Sequence, residues 1–175
     1  KNDLIYKCCF FVKVMQKEYE EKFLQYITEN KVKAEQIFFT ELVDHKKNVL
    51  NTVKEKDINI NDIVKTVVFI DLDKKLEYGN GLNALVPADF RVIKDKLRKI
   101  ADSRVKISSP EQVLILTGYP AGGIPPFGFK GRFYIDNSLK NKNIVYAGGG
   151  SIRALVKTSI KEIIKSNKAE SVDIV

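Results

Sequence analysis

The densest concentration of residues that could do chemistry runs from Gly118 to Gly128, with the sequence GYPAGGIPPFG. Four of these eleven residues are glycine and three are proline. Proline fixes the backbone, whereas glycine lets a ligand approach main-chain amides that no side chain covers. Such amides can bind a carbonyl oxygen or an oxyanion. A tight connection shaped only for packing would have the same composition, so this loop alone does not decide between the two interpretations.

Lys65 interrupts a mostly apolar, β-branched run from Ile63 to Leu72 (IVKTVVFIDL), which predicts a largely buried strand. An ammonium group is costly there unless it reaches water, an anion or another partner. One interpretation is that Lys65 binds an anion. The other is that it lies on the solvent face of a half-buried strand while Val64 and Thr66 face inward, and the pattern alone favours the second.

A third candidate segment is Ala147–Ser151 (AGGGS), in which a predicted strand ends in three glycines. A ligand or another backbone can lie flat against such a strand, although a simple turn has the same composition. The segment is not a dinucleotide-binding motif, because no G-x-G-x-x-G opens a helix after a strand. The chain also lacks the G-K-[ST] sequence of a phosphate-binding loop.

Metal and nucleophile chemistry have few candidate residues in this sequence. His45 is the single histidine, and the two cysteines, Cys8 and Cys9, are adjacent. Adjacent cysteines rarely form a disulfide and do not match a zinc-binding spacing. We therefore expect no metal site, and a Ser-His-Asp triad could be built only through His45.

The rest of the sequence predicts the elements that must position these segments. Apolar residues at helical spacing predict a helix from Lys17 to Asn30. Other predicted helices are 44–53, 90–101, 109–116 and 158–166, and predicted strands are 37–43, 63–72, 84–87, 105–107, 133–135 and 144–147. The strands are too irregularly spaced for a βαβ winding. We expect one α+β domain, a curled mixed sheet with helices packed outside.

Both ends of the chain leave questions for the structure. Residues 1–14 precede Met15, the only methionine, and are either an added edge strand or a dispensable segment before a physiological start. We treat residues 1–16 as an N-terminal extension and 17–175 as the domain. The polar tail Ser166–Val175 after the last predicted helix has the character of a natural end.

Composition limits the class of protein and suggests a class of partner. The 175 residues are 44% apolar and 30% charged, which is typical of a globular domain. The chain contains no apolar run long enough for a membrane span and no secretory signal pattern, so we expect a cytoplasmic protein without a membrane partner. Its formal charge of +8 favours a polyanionic partner, although a lysine-rich surface would give the same charge.

Together, these segments resemble the YbaK/prolyl-tRNA synthetase-associated family of aminoacyl-tRNA editing domains. The resemblance covers about Lys17 to Lys165, and the G-Y-P-x-G-G-I-x-P-x-G loop is its most specific part. The matching segments, in chain order, are Val64-Lys65-Thr66, Ser109-Pro110-Glu111, Thr117-Gly118-Tyr119-Pro120, Gly122-Gly123-Ile124-Pro125-Pro126-Phe127-Gly128, Ile135-Asp136 and Tyr146-Ala147-Gly148-Gly149-Gly150-Ser151. One departure is Ala88-Asp89-Phe90-Arg91-Val92, where the family often has Gly-Asp-Arg-Arg-Val.

The resemblance implies a compact α+β domain with a barrel-like mixed sheet, and a hydrolase that removes wrongly attached amino acids from tRNA. It places Lys65 at the tRNA 3′ end and makes the loop from Gly122 to Pro126 the donor of amides to the ester carbonyl. The catalytic residues implied are Lys65, Gly122, Gly123, Ile124, Pro125 and Pro126, and the substrate-binding residues are Gly118, Tyr119, Gly148, Gly149, Gly150 and His45. For His45 a solvated position at a helix start is the alternative.

The expected activity is that of a free-standing aminoacyl-tRNA deacylase acting in trans, without a cofactor or a metal. The expected partners are the acceptor end of aminoacylated tRNA and, in addition, an aminoacyl-tRNA synthetase. A module that binds aminoacyl-tRNA or a synthetase without hydrolysis is the alternative. A fragment of a larger synthetase ranks below both.

Overall fold

The computed structural model describes residues 2–39 and 58–175, and it describes side chains from residue 16 onward within these ranges. The elements in chain order are α1 (Asn2–Glu29), β1 (Glu35–Phe38), β2 (Val64–Asp71), β3 (Gly81–Pro87), α2 (Lys94–Ala101), β4 (Val105–Ile107), α3 (Pro110–Thr117), β5 (Arg132–Asp136), β6 (Val145–Gly148), β7 (Ala154–Thr158), α4 (Ile160–Asn167) and β8 (Glu170–Val172). Within these ranges, no helix has the length and apolar character needed to cross a membrane.

The strands form two sheets. The larger has the order β4-β2-β3-β5-β8; β2 is antiparallel to β3 and β4, whereas β5 is parallel to β3 and β8. The smaller is antiparallel, with the order β1-β7-β6. An isolated parallel bridge between Ile63 and Tyr146 links them. The α+β class predicted from the sequence is confirmed, but the strands are divided between two sheets where one curled sheet was expected.

Helices cover both faces of strand β2. Side chains alternate between the two faces of a strand. Val68 and Ile70 pack against α3, whereas Phe69 packs with Leu97 and Ala101 of α2 on the other face. A third cluster lies between the sheets and the two remaining helices, and it includes Phe23 and Ile27 of α1, Ile160 and Ile163 of α4, and Leu85, Phe127 and Val156.

The N-terminal segment corrects one expectation. Residues predicted to form an edge strand belong to α1, which is continuous from Asn2 to Glu29. A short apolar run has no periodicity that separates a strand from a helix, so the sequence could not exclude a helix there. The predicted end of the helix near Asn30 agrees with the structure.

One helix boundary and two strands in the second half of the chain differ from prediction. Helix α2 begins at Lys94, because the Phe90 amide donates to the Pro87 carbonyl and the Ile93 amide to the Ile174 carbonyl, which holds this stretch outside the helix. Strands β7 and β8 were not predicted; β8 lies in the segment expected to be a polar tail. The predicted cap of α3 is present, since Ser109 and Gln112 form a reciprocal capping box.

Two predicted features fall where the structure gives no description. The strand predicted over residues 37–43 is described only through residue 39, and β1 ends at Phe38. The helix predicted over 44–53, with His45 near its start, lies outside the described residues.

Candidate functional site

The two glycine-rich segments touch each other main chain to main chain. A Cβ atom on Gly123 would lie 2.5 Å from the carbonyl carbon of Ser151, and one on Gly148 would overlap the main chain of Ile124. The Gly150 amide donates to the Gly123 carbonyl at 2.9 Å. Both segments therefore need glycine for this contact, and the predicted loop and the predicted glycine run form one structural unit.

Between Gly122 and Pro126, two of the three amide groups have no acceptor among the described residues. Pro125 and Pro126 carry no N–H, and the Gly123 amide donates to the Pro120 carbonyl at 3.0 Å. Within residues 2–39 and 58–175, the amides of Gly122 and Ile124 donate to no protein acceptor. Gly122 is exposed and has a φ of 88°. Of the amides expected to face an ester carbonyl, these two have the capacity to do so.

A buried ion pair fixes the segment that follows the glycine run. Glu20 of α1 is 5% exposed. It accepts hydrogen bonds from Arg153 Nε at 2.7 Å, Arg153 Nη2 at 2.8 Å and the hydroxyl of Ser151 at 2.5 Å. Burial raises the pKa of the Glu20 carboxyl, but the hydrogen bonds of Arg153 and Ser151 outweigh burial and hold that pKa below its ordinary value.

Two glutamines hold the same segment from other sides. Gln36 of β1 donates from Nε2 to the Gly149 carbonyl at 2.7 Å, and the Ile152 amide donates to Gln16 Oε1 at 3.2 Å. These two glutamines and Glu20 were not predicted from the sequence. One signal was available for Glu20, because it lies three residues before the buried Phe23, on the inward face of α1.

The structure brings Thr66, rather than the Lys65 ammonium, against the segment from Gly118 to Gly128, which we call the glycine–proline loop. The Thr66 hydroxyl donates to the Pro125 carbonyl at 3.4 Å. Lys65 lies opposite Val86 and faces the α2 side of the sheet, where its Nζ donates to the Ala88 carbonyl at 2.8 Å. The resemblance assigned Lys65 and the loop to the same end of one substrate, but their contacts lie on opposite faces of β2.

Lys65 nevertheless remains a half-buried cation close to the bridge between the sheets. Burial lowers the pKa of its ammonium; Asp89 opposes this effect and Arg91 adds to it. The hydrogen bond to Ala88 uses one of three N–H groups. Lys65 therefore keeps the capacity to bind an anion near the start of β2.

Tyr119 is a core residue. Its side chain is wholly buried and packs against Tyr19, Phe23 and Phe129. Burial raises the pKa of its hydroxyl. Contact between this ring and a substrate, which the resemblance implied, does not fit the arrangement.

Gly118 has a structural role beside Tyr119, and His45 has no described position. Gly118 ends α3 with a φ of 70°, and its carbonyl accepts from Lys22 Nζ at 3.3 Å. Lys22 Nζ also lies 4.5 Å from the Tyr119 ring centroid. His45 lies outside the described residues, so its expected place at the pocket rim stays a prediction.

Comparison with known protein families identifies one match, and one curated protein is similar over part of the chain. A family model described as aminoacyl-tRNA editing domain matches residues 44–166. The uncharacterized protein YwhH of Bacillus subtilis (strain 168) is 31% identical over 77 residues, which are 43% of this chain and 49% of that protein. The chain thus spans about half the length of this curated relative.

Two solved structures share the fold. The hypothetical protein APE2540 superposes with a TM-score of 0.76 at 23% identity, covering 87% of this chain and 98% of that one. A candidate trans-editing enzyme for prolyl tRNA synthetase superposes with a TM-score of 0.73 at 22% identity, covering 89% and 96%.

Proposed function

Because the chain belongs to the aminoacyl-tRNA editing domain family, we propose that it is a deacylase that hydrolyses mischarged amino acids from the 3′ end of tRNA in trans. The observation that carries the proposal is the contact between the glycine–proline loop and the glycine run. This contact leaves the Gly122 and Ile124 amides without a protein acceptor in the described residues.

These two amides suit the oxyanion that forms when an ester is hydrolysed. Water adds to the ester carbonyl, and the resulting negative oxygen accepts hydrogen bonds from Gly122 and Ile124. Collapse of this intermediate breaks the bond between the carbonyl carbon and the ribose oxygen, and a proton from the attacking water passes to that oxygen, so the products are the free amino acid and the ribose hydroxyl. The amides need no reorganisation, because Gly123 is fixed by Pro120 and Ser151 on either side. The reaction proposed needs no protein nucleophile.

Lys65 supplies the charge that would bind the tRNA. We assign it to a phosphate of the 3′ end. Lys65 lies near the start of β2, on the opposite face from the loop. The terminal nucleotides would then pass around the start of β2, from the Lys65 face to the loop face, to bring the ester to the loop. The net charge of +8 adds attraction for the polyanion.

The description of one structural relative supports a proposal for the partner class. One solved structure with this fold is described as a candidate trans-editing enzyme for prolyl tRNA synthetase. We therefore include aminoacylated tRNAPro among the substrates to be tested, together with the synthetase as a binding partner.

The test is a deacylation assay on a panel of tRNAs carrying alanyl, cysteinyl, seryl or threonyl esters. We expect turnover of at least one ester. Lys65→Ala should lower kcat/KM on the order of tenfold or more, because a charge-assisted contact to phosphate is lost. Lys106→Ala is the matched control, since Lys106 is an exposed lysine of β4 in the same sheet, and it should leave kcat/KM unchanged.

The assay also separates the enzyme from a binding module. If no ester is hydrolysed while tRNA binding remains sensitive to Lys65→Ala, the chain binds aminoacyl-tRNA without editing it. If Lys65→Ala and Lys106→Ala behave alike in both assays, the role assigned to Lys65 is wrong.

A further inference from the structure

Phe90 presents an aromatic ring to solvent in the segment between β3 and α2. Its side chain is 48% exposed. The segment is held at both ends, because the Phe90 amide donates to the Pro87 carbonyl at 3.1 Å and the Ile93 amide to the Ile174 carbonyl at 2.7 Å. The backbone that carries the ring is therefore fixed, which lowers the conformational cost of using the ring as a contact.

Two cations lie near the backbone segment that carries this ring. Lys65 Nζ donates to the carbonyl of Ala88, two residues before Phe90, at 2.8 Å. Arg91, the next residue after Phe90, is exposed and lies close enough to lower the pKa of Lys65. Asp89 offsets part of this charge, which leaves one aromatic side chain and a net positive charge on one short surface segment.

We propose that Phe90 stacks on an unpaired base at the 3′ end of tRNA, while Lys65 and Arg91 bind the adjoining phosphates. Unpaired bases in RNA are recognised by stacking on aromatic side chains, and cations beside the ring bind the backbone. The proposal rests on the proposed function for the identity of the ligand. It adds a base-contacting residue that Lys65 and the glycine–proline loop do not provide.

Tyr78 offers a matched comparison. Its side chain is 47% exposed, almost the same as that of Phe90. It follows the far end of β2, and Lys65 and Asp71 are separated by roughly 20 Å along that strand. The Tyr78 hydroxyl accepts a hydrogen bond from the Lys130 amide at 3.3 Å. Its replacement removes an equally exposed aromatic ring away from the proposed contact.

The experiment uses RNA hairpins that carry no amino acid and end in a single-stranded CCA 3′ end. In these hairpins 2-aminopurine replaces the terminal adenine. Stacking on an aromatic ring quenches the fluorescence of 2-aminopurine. We expect the protein to quench the probe and Phe90→Trp to retain quenching. Phe90→Leu, which keeps an apolar side chain, should lose the quenching and weaken binding by roughly tenfold. Tyr78→Leu should match the unchanged protein.

The outcome is independent of ester hydrolysis, because the probe carries no amino acid. Quenching that Phe90→Leu abolishes supports the stacking contact even if the deacylation assay finds no turnover. Equal quenching by the unchanged protein and Phe90→Leu overturns the contact while leaving the deacylase proposal intact. Failure of the unchanged protein to quench the probe also overturns it, as would be expected if Phe90 instead contacts a protein.

Discussion

The carboxylate of Glu20, on the first helix, holds the guanidinium of Arg153 through two hydrogen bonds of 2.7 and 2.8 Å across 133 residues of sequence. The same carboxylate accepts a hydrogen bond from the Ser151 hydroxyl. The main chain of Ser151 is also the one that Gly123 contacts. The ion pair therefore connects α1 to the backbone contact that shapes the candidate site.

Replacing Glu20 should destabilise the protein. Glu20→Gln removes the charge that compensates Arg153, whose side chain is 33% exposed, so we expect a loss of about 1–3 kcal/mol, less than for a fully buried pair. Urea denaturation measures the change. The control is Glu21→Gln, because Glu21 is an exposed neighbour whose ion pair with Lys17 should contribute less than about 0.5 kcal/mol. Equal effects of the two substitutions would contradict the assigned role of Glu20.

The same ion pair predicts a pH dependence of stability. The pKa of Glu20 is lower in the folded protein than its ordinary value. Its contribution is therefore fully present above the ordinary pKa of about 4.3 and is lost as the pH falls through the folded value. The difference in unfolding free energy between the unchanged protein and Glu20→Gln should be constant from pH 6 to about pH 5 and should shrink in more acidic solution. A difference that grows as the pH falls would show that burial outweighs the hydrogen bonds.

Neighbouring glycines of the loop should respond differently to alanine. Gly123→Ala places a Cβ 2.5 Å from the Ser151 carbonyl carbon, and we expect a loss of about 3 kcal/mol or more together with the loss of hydrolysis. At Gly122 the nearest atom is Ile152 Cγ2 at 3.5 Å, so only the positive φ of 88° opposes alanine, at a cost of about 1–2 kcal/mol. Thermal unfolding and the deacylation assay measure both variants. Gly123→Ala with unchanged stability would contradict the backbone contact.

Thr66 should affect turnover more than folding. Thr66→Val removes the hydroxyl that donates to the Pro125 carbonyl, and its effect on stability should stay within about 1 kcal/mol. Because this hydrogen bond positions the loop, we expect kcat to fall on the order of tenfold with little change in KM. Thr66→Ser keeps the donor and should restore kcat. A serine variant as slow as the valine variant would show that the hydroxyl alone does not position the loop, and would contradict the role assigned to this hydrogen bond.

Local sequence patterns predicted the elements but not the contacts between them. Strand β2 was predicted to within one residue at each end, because its β-branched run is long and distinctive. Strands β7 and β8 were missed. β8 is a three-residue strand that pairs with β5, which is distant in sequence, and no local pattern specifies such a pairing.

The sequence likewise predicted part of the candidate site and not the rest. The composition of the loop identified residues that do meet at one place, since Gly123 and Ile124 contact Gly148 and Ser151. The direction of the Lys65 side chain required the register of β2, in which Val64 and Thr66 face away from it. The alternation matches the interpretation in which Val64 and Thr66 face away from Lys65, but helix α2 packs on the Lys65 side of the sheet, where a solvent face was expected. The Glu20–Arg153 pair depends on long-range packing that residue spacing does not encode.

Substitutions of Tyr119 test whether this buried aromatic residue of the glycine–proline loop serves packing or contacts the substrate. Its hydroxyl has no hydrogen-bond partner among the described residues, and a buried unpaired hydroxyl is costly. Tyr119→Phe should therefore be neutral or stabilising by about 1 kcal/mol, with unchanged deacylation. Tyr119→Ala should cost about 3–5 kcal/mol, because it leaves a cavity beside Phe23 and Phe129. Chemical denaturation and the deacylation assay measure both variants. If Tyr119→Phe kept its stability but lost turnover, the hydroxyl would have to reach the substrate, and the core position of Tyr119 would not describe the active protein.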